Sequence, residues 1–348
     1  MTDSNSLLGK TLGTCTLEYL LSQGGMGTVY LARQQRPHRV VAVKVLFSGA
    51  VFKKQAQAAF LARFRREADA IAALDHVHIM PLYEYGELDQ LAYLVMPYVT
   101  GGTLRQRLLE RGALPLDEAL PILVQAAESL DYAHERGIIH RDIKPSNMIF
   151  HADGRLLLSD FGLAKILDQT DDARLLEKSE PAFLKATQIW PVSCHEQATR
   201  AISLLFPPPE DAEATCRVNR RVRSSSYSSE TVIGTPEYLA PERALGQPVD
   251  RRADIYSLGV VLFQMLTGRV PFAGSSAIST ALMHTEDEPP LPSALLPSLT
   301  PQIEAVILRA LAKDPTQRYN TAGAFACALR EAAENAEIGL HREQQSYT

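Results

Sequence analysis

The sequence has few cysteines, no long apolar run and no excess of positive charge. Its four cysteines, among 348 residues, are scattered and include no Cys-x-x-Cys pair. This scatter argues against a disulfide framework or a zinc site and is typical of a reducing compartment. No apolar run reaches the ~18 residues that a membrane helix needs, and the N-terminus lacks an apolar signal core. We therefore expect a cytoplasmic protein without a membrane segment.

The charge balance also narrows the choice of partners. The net charge is -5, so no global basic field attracts nucleic acid, and we expect no nucleic-acid partner. Hydrophobic residues make up 46% and charged residues 22%, as in ordinary folded globular proteins rather than disordered chains. A chain of this length has room for two cooperating lobes.

The most informative stretch runs from His140 to Asn147 and reads His-Arg-Asp-Ile-Lys-Pro-Ser-Asn. Apolar residues flank these eight residues on both sides, which predicts a short loop fixed between buried segments. Three polar side chains would then be held in fixed positions: Asp142, Lys144 and Asn147.

A second motif, Asp160-Phe161-Gly162, follows a predicted hairpin turn at Asp153-Gly154. In this order and spacing, the two motifs resemble the catalytic loop and the metal-binding motif of protein kinases. Two further sequence motifs, Gly-Gly-Met-Gly-Thr-Val-Tyr and Gly-Thr-Pro-Glu-Tyr-Leu-Ala-Pro-Glu, make the chain similar to the eukaryotic-like serine/threonine kinases of bacteria. The resemblance implies an α+β, bilobal protein-kinase fold, with an antiparallel sheet plus one helix in the N-lobe and a mainly helical C-lobe.

The resemblance also implies roles for the loop residues. Asp142 would accept the proton of a substrate hydroxyl, and Lys144 would contact the γ-phosphate of ATP. Asn147 and Asp160 would hold Mg²⁺, with Mn²⁺ as an alternative ion. The order Asp-Ile-Lys-Pro is typical of kinases that act on serine and threonine, so the expected partners are proteins with Ser or Thr acceptors.

A glycine-rich stretch lies between two predicted strands, from Leu21 to Val29. Because glycine has no Cβ, such a backbone can approach phosphates closely, but the stretch taken alone favours a simple glycine-rich hairpin turn over a phosphate-binding loop. Against the kinase pattern the first glycine falls on Ser22, which departs from the family. The glycines assigned to ATP are Gly24, Gly25 and Gly27.

One lysine interrupts the apolar strand Val40–Leu46, and its expected partner is a glutamate on the following helix. Lys44 is that lysine, and lysine is rarely buried unpaired. Glu67 lies three residues after Phe64 and four before Ile71, on the inward face of a predicted helix. By resemblance, a Lys44–Glu67 ion pair positions the phosphates of ATP.

The remaining nucleotide contacts follow from resemblance alone. The segment after the strand Leu91–Val95 would be the hinge that binds adenine. Pro97 removes one backbone N–H there, but the main hinge donor aligns with Val99. The apolar contacts assigned to ATP are Leu21, Val29, Ala42, Met96 and Val99.

The predicted domain boundaries place the N-lobe at residues 1–98, the C-lobe at 99–335 and a polar tail at 336–348. Asp254 would cap a fully buried helix and, by resemblance, bind the backbone of the catalytic loop. Glu242 would pair with Arg318 across 76 positions of sequence (318 − 242). The predicted helices are Thr103–Arg111, Leu116–Glu135, Ile255–Leu266, Pro301–Ala312 and Thr321–Asn335.

Asp160 and Glu242 are 82 positions apart (242 − 160), more than the resemblance accounts for. The excess forms an insert at about 168–230 in the activation segment, and a loop this long is either functional or disordered. Arg141 next to Asp142 suggests control by phosphorylation nearby. The candidate sites are Ser225, Ser226, Ser228, Ser229 and Thr231.

Three functions compete at this point. An active kinase fits the filled catalytic positions, whereas a binding scaffold of kinase fold would explain Ser22, Pro97 and the insert. A small-molecule phosphotransferase of related fold would lack the Gly-Thr-x-x-Tyr-x-Ala-Pro-Glu stretch that docks a peptide. The input signal would come through the insert, a partner or a regulatory homodimer.

Overall fold

Alternating apolar residues in the first hundred positions form a six-stranded antiparallel sheet. The structure is a computed structural model that describes residues 7–24, 27–47, 54–88, 91–164 and 235–345, and all of these belong to one compact unit. The strand order is β1-β2-β3-β4-β6-β5. The strands are β1 (Thr11–Leu12), β2 (Cys15–Gly24), β3 (Gly27–Gln34), β4 (Arg39–Phe47), β5 (Glu84–Leu88) and β6 (Leu91–Pro97).

The two faces of this sheet differ because side chains alternate along each strand. On β4, Val41, Val43 and Val45 belong to an apolar cluster made almost entirely of sheet residues. Leu46, the next residue, instead joins the large core that continues into the helical part of the chain. Lys44 shares the face of Leu46, so it lies on the side of the sheet that meets the helices.

Helix α1 (Lys54–Ala72) packs beside the sheet, through the face that the sequence predicted. Phe60, Phe64 and Ile71 are all buried on it, in the large core. Phe64 and Ile71, the two positions from which the sequence predicted this inward face, both lie within the helix.

The rest of the described chain is mainly helical, as expected for the α+β, bilobal protein-kinase fold. A small hairpin of β7 (Met148–Phe150) and β8 (Leu156–Leu158) is its only sheet within the described ranges. Ile79 forms a parallel bridge with Leu158. The helices are α2 (Leu104–Arg111), α3 (Leu116–His134), α4 (Pro241–Ala244), α5 (Arg252–Thr267), α6 (Ala277–Glu286), α7 (Pro292–Leu295), α8 (Pro301–Ala310) and α9 (Ala322–Gln345).

Helix α5 is the centre of the helical part. Its residues are buried on nearly every side, in agreement with the fully buried helix that the sequence predicted here. Each large side chain buried there stabilises the fold by about 1.5–3 kcal/mol, an upper value because unfolded chains are themselves compact. The helix ends at Gly268, which adopts a left-handed backbone with φ of 75° that a glycine accepts without strain.

The last helix, α9, packs against α3 and extends to Gln345 rather than ending at the predicted Asn335. Its first backbone N–H groups are satisfied by a side chain from another helix. Asp131 on α3 accepts from Ala322 N and Gly323 N, both at 2.8 Å. A Cβ on Gly323 would lie 2.7 Å from the Asp131 carboxylate, so the glycine permits this close approach.

No helix in the described ranges combines the length and the apolar character that crossing a membrane requires. The predicted insert at 168–230 lies outside the described residues.

We predict that Asp131→Ala lowers the free energy of unfolding by about 1–2 kcal/mol, because two N–H groups at the start of α9 lose their acceptor. Denaturant unfolding followed by circular dichroism measures this change. Glu110→Ala, which alters an exposed residue of α2, is the control and should leave stability nearly unchanged. Equal stability of Asp131→Ala and the wild type would contradict the capping role.

Candidate active site

The catalytic-loop residues predicted from sequence come together at the turn between α3 and β7. Lys144 Nζ lies 2.6 Å from Asp142 Oδ2. Asn147 Nδ2 donates to the same Oδ2 at 3.1 Å and to the Asp142 backbone carbonyl at 2.8 Å. A 3₁₀ turn at Pro145–Asn147 places the asparagine. All three side chains are largely buried, so Asp142 is held between a cation and an amide donor.

The backbone of this loop is held by Asp254, which is 1% exposed on α5. Its Oδ2 accepts from His140 N and its Oδ1 from Arg141 N, each at 2.8 Å. His134 Nε2 at the end of α3 adds a third contact at 2.8 Å. Arg141 has a φ of 67°, a left-handed conformation that is costly for a residue other than glycine. The Arg243 guanidinium donates to its carbonyl, so the strained residue is fixed from both sides.

Asp254 does not cap its own helix, contrary to the sequence expectation. The N-cap of α5 is Arg251, which makes no side-chain cap bond, and Asp254 lies in the first turn with its carboxylate directed to the loop. Burial alone would raise the pKa of Asp254. The hydrogen bond and the charge of His134, with a contribution from His140, hold that pKa below the usual value of an aspartate. Sequence reasoning missed His134, which carries no motif of its own beyond its place at the end of an apolar helix.

His140 connects the loop to the segment that carries Asp160. Its Nδ1 accepts from Asp142 N at 3.2 Å, and its Nε2 donates to the Ser159 carbonyl at 2.8 Å. Its ring packs against Phe161, with 4.6 Å between ring centroids. Burial lowers the pKa of His140, so the imidazole stays neutral and keeps one acceptor and one donor nitrogen.

Asp160 supplies the carboxylate opposite the loop and has a left-handed φ of 67°. Its Oδ2 lies 2.7 Å from Lys44 Nζ. Burial would raise the pKa of Asp160, but Lys44, with Lys144 farther away, holds it below the ordinary value. Ser159 N donates to the Asn147 carbonyl at 2.9 Å, which places Asp160 beside Asn147.

The expected Lys44–Glu67 ion pair is therefore wrong for this structure, in which the partner of Lys44 is Asp160. Glu67 does lie on the inward side of α1, with a side chain 13% exposed, but its Oε1 accepts from Arg66 at 3.1 Å. Helical spacing identifies the face on which a carboxylate lies. It does not decide which of two carboxylates comes within hydrogen-bond distance of one lysine.

Asn147 and Asp160 fit the family's magnesium site by the chemistry of their donor atoms. The Nδ2 of Asn147 is bonded to Asp142, so its Oδ1 is the end left for a cation. Oxygen ligands from one or two side chains, completed by phosphates and water, are what Mg²⁺ prefers. The side-chain oxygens of these two residues would hold such an ion.

Three of the apolar residues assigned to ATP share one face of the sheet with Lys44. Val29 pairs with Lys44, and Ala42 pairs with Met96, across neighbouring strands. Leu21 lies at an irregularity of β2, between Leu20 and Ser22. Val99 follows the end of β6 at Pro97.

The two glycines of the loop tip that the structure describes differ in what they require. Gly27 has a φ of 138°, and a Cβ there would lie 2.3 Å from the Val45 carbonyl oxygen, so only glycine fits. A Cβ on Gly24 would meet nothing within 4 Å. Gly25, also assigned to ATP, lies outside the described residues. The steric need for glycine is therefore at Gly27.

The segment Thr235–Glu242, called the platform below, is attached to the helical core at its middle and at its C-terminal end. At the middle, Tyr238 Oη donates to Gln264 at 2.6 Å, and Ser257 Oγ donates to the Tyr238 carbonyl at 2.7 Å. At the C-terminal end, Arg318 makes two bonds of 2.8 Å to the Glu242 carboxylate, and both side chains are buried. The Glu242–Arg318 pair predicted from sequence is present, and breaking such a pair typically costs about 3–5 kcal/mol.

We predict that Asp254→Asn lowers the free energy of unfolding at pH 7 by about 1–3 kcal/mol, because an amide NH₂ would face a backbone donor. The folded pKa of Asp254 lies below its unfolded value. Its contribution is thus complete above the unfolded pKa, near pH 4, and is lost as pH falls through the folded pKa. Wild type and variant should converge in that acid range.

Denaturant unfolding at pH 7 and in steps down to about pH 3 tests this. Asp117→Asn, at an exposed position of α3, is the matched control and should change little. A gap between wild type and Asp254→Asn that persists unchanged in acid would contradict the prediction.

Comparison with known proteins provides evidence on the family of this chain that is independent of the geometry. A family model described as the protein kinase domain matches residues 16–182 and 218–328, and the unmatched stretch between them lies inside the predicted insert. The serine/threonine-protein kinase PknB of Mycolicibacterium smegmatis is 36% identical over 307 residues, which cover 87% of this chain and 40% of that protein. The serine/threonine-protein kinase PrkC of Bacillus subtilis is 34% identical over 317 residues, which cover 91% of this chain and 40% of that protein.

The chain thus spans about two fifths of the length of these relatives. The family match covers most of its residues, and both relatives align over nearly all of it. The chain belongs to the protein kinase family, among the eukaryotic-like serine/threonine kinases of bacteria.

Proposed function

We propose that this protein transfers the γ-phosphate of ATP to serine and threonine hydroxyls of proteins. The observation that carries the proposal is the convergence of Asp142, Lys144 and Asn147 on one side with Lys44 and Asp160 on the other. These are polar side chains of the kinds that phosphoryl transfer uses, and they lie in a largely buried site. A scaffold without activity would have no need to keep them together.

In this mechanism the protein mainly positions groups and neutralises charge. Asp142 would orient the acceptor hydroxyl and take its proton. Lys144, now 2.6 Å from Asp142, would reach the transferred phosphoryl group. When bound, Mg²⁺ on Asn147 and Asp160 neutralises charge on the phosphates of ATP.

The nucleotide would lie between the sheet and the catalytic loop. Val29, Ala42 and Met96 offer apolar contacts from one face of the sheet, and Lys44 offers a cation. Leu21, Gly24, Gly25, Gly27, Glu67 and Val99 complete the proposed nucleotide contacts. We assign residues 1–98 to the N-lobe and 99–335 to the C-lobe on the same basis, with β6 ending at Pro97.

We predict that the purified protein transfers labelled γ-phosphate from ATP and Mg²⁺ to a generic basic protein, and that Asp142→Asn abolishes transfer. The reason is that the amide keeps the size of Asp142 but accepts no proton. Asp153→Asn is the control, since Asp153 is an exposed carboxylate of the β7–β8 turn and should leave the rate unchanged. No transfer by the wild type with either Mg²⁺ or Mn²⁺ would favour the scaffold.

Control by phosphorylation belongs to the same proposal. Arg141 Nε is buried and has no hydrogen-bond partner in the described part of the chain, which suits a clamp for a phosphate group. The candidate sites, Ser225, Ser226, Ser228, Ser229 and Thr231, lie outside the described residues.

We predict that the active protein carries phosphate within residues 224–235, placed there by its own activity. Mass spectrometry of wild type and Asp142→Asn, expressed alike, provides the test. The wild type should show the modification and the variant should lack it. Active protein without phosphate in this range would contradict the proposal, and equal modification of both proteins would assign it to another kinase.

A further inference from the structure

A fully buried histidine on α6 lies beneath the platform and is not accounted for by the catalytic site. His284 is 0% exposed. Its Nδ1 lies 2.8 Å from the hydroxyl of Tyr256, on the central helix α5. Its ring meets Phe272 edge to face, with centroids 4.8 Å apart. Burying a polar ring this deeply costs free energy unless its nitrogens make hydrogen bonds.

The backbone of His284 is fixed as well as its ring. Lys313 Nζ donates to the His284 carbonyl at 2.8 Å, and its ammonium group lies 4.3 Å from the centre of the Phe272 ring. A cation at this end of α6 satisfies carbonyls that the helix leaves free. Burial lowers the pKa of Lys313 to about 8, which shows how closely it is enclosed. The end of α6 therefore has little freedom to shift.

Neighbouring residues on both sides of the imidazole connect it to the platform. On one side, Tyr256 lies under the guanidinium of Arg318, 4.8 Å from its ring centre, and Arg318 holds Glu242 at the end of the platform. On the other side, the backbone of Glu237, near the middle of the platform, is close enough to the ring to influence its pKa, and the buried Nε2 makes no hydrogen bond within the described part of the chain. Helix α6 also packs against α4 and the 3₁₀ turn Pro236–Tyr238.

The buried imidazole of His284 is neutral at ordinary pH. Burial, and then the charge of Lys313, lowers the pKa of His284 to about 4. Burial also raises the pKa of Tyr256, so the phenol keeps its proton. The pair is therefore neutral at ordinary pH and acts through shape and hydrogen bonding. A neutral bridge has the same geometry throughout the working pH range of an enzyme.

We propose that His284 is a positioning residue for the protein substrate: it holds the platform at the distance from Asp142 that places an acceptor hydroxyl in the site. This inference rests on the proposed kinase function and names a part of it. Within the described part of the chain, His284 contacts Tyr256, Phe272 and Lys313 rather than the catalytic residues Lys44, Asp142 and Asp160. Loss of the imidazole should therefore affect the protein acceptor and spare the turnover of ATP.

The test compares two reactions of the full chain. One is phosphate transfer to a generic basic protein, with kcat and KM for that acceptor. The other is hydrolysis of ATP without any acceptor, which needs the nucleotide site but not the platform. We expect His284→Leu to raise KM for the acceptor about tenfold, the effect of one buried hydrogen bond, and to change ATP hydrolysis less than about twofold. His284→Asn, which keeps a polar atom toward Tyr256, should recover part of the loss.

Two further variants distinguish a positioning role from a simple loss of folding. Tyr256→Phe removes a single oxygen atom and carries the test if His284→Leu loses cooperative unfolding. It should raise KM for the acceptor in the same direction, and the double variant should be no worse than the stronger single one. Thr280→Val is the matched control on the same helix. Thr280 is buried, and its hydroxyl is bonded to Gly274 N and Ser276 O rather than to the platform.

Each outcome has a definite meaning. A rise in KM for the acceptor in His284→Leu and Tyr256→Phe, with Thr280→Val unchanged, supports the positioning role. Equal loss of transfer and of ATP hydrolysis, or the same effect from Thr280→Val, would show a general role in stability and overturn it. Unchanged kinetics in both variants would overturn it too. A wild type that transfers no phosphate would instead overturn the proposed function, and this inference with it.

Discussion

The active site depends on one buried carboxylate. Asp254 binds the backbone N–H groups of His140 and Arg141, and with His134 it receives three donors at 2.8 Å. These bonds offset the strain of a left-handed Arg141. Without them the loop would relax toward an ordinary backbone, and Asp142, the next residue, would turn with it. The position of the proposed catalytic base is thus set by a residue that does not touch substrate.

Asp254 can do this because α5 is rigid. Thirteen of the sixteen residues of α5 are buried, so the helix cannot move without disturbing the packing around it. A buried carboxylate is expensive to desolvate, and its three donors recover that cost only in one geometry. Any other arrangement of the loop would leave the buried carboxylate without its donors, so the desolvation free energy of Asp254 favours a single arrangement.

The sequence predicted the elements that depend on pattern and failed where three-dimensional proximity decides. Apolar periodicity predicted the buried faces of α1 and α5, and the motifs predicted the meeting of Glu242 with Arg318. The predicted partner of Lys44 was wrong because helical spacing places Glu67 on the inward face but does not show that Asp160, far away in sequence, lies within hydrogen-bond distance of the lysine. His134 and His284 were missed because a lone histidine in an apolar helix gives no signal until the fold shows what it faces.

The same helix contacts both the catalytic loop and the platform. Asp254 reaches the catalytic loop, Tyr256 reaches His284 below the platform, and Ser257 holds the Tyr238 carbonyl within the platform. Successive helical residues point about 100° apart, so neighbours on one short stretch contact different elements only when the helix is surrounded. Because both networks start from α5, one helix holds both the platform and the loop that carries the proposed base, Asp142. Their separation then varies only as much as the packing of one buried helix allows.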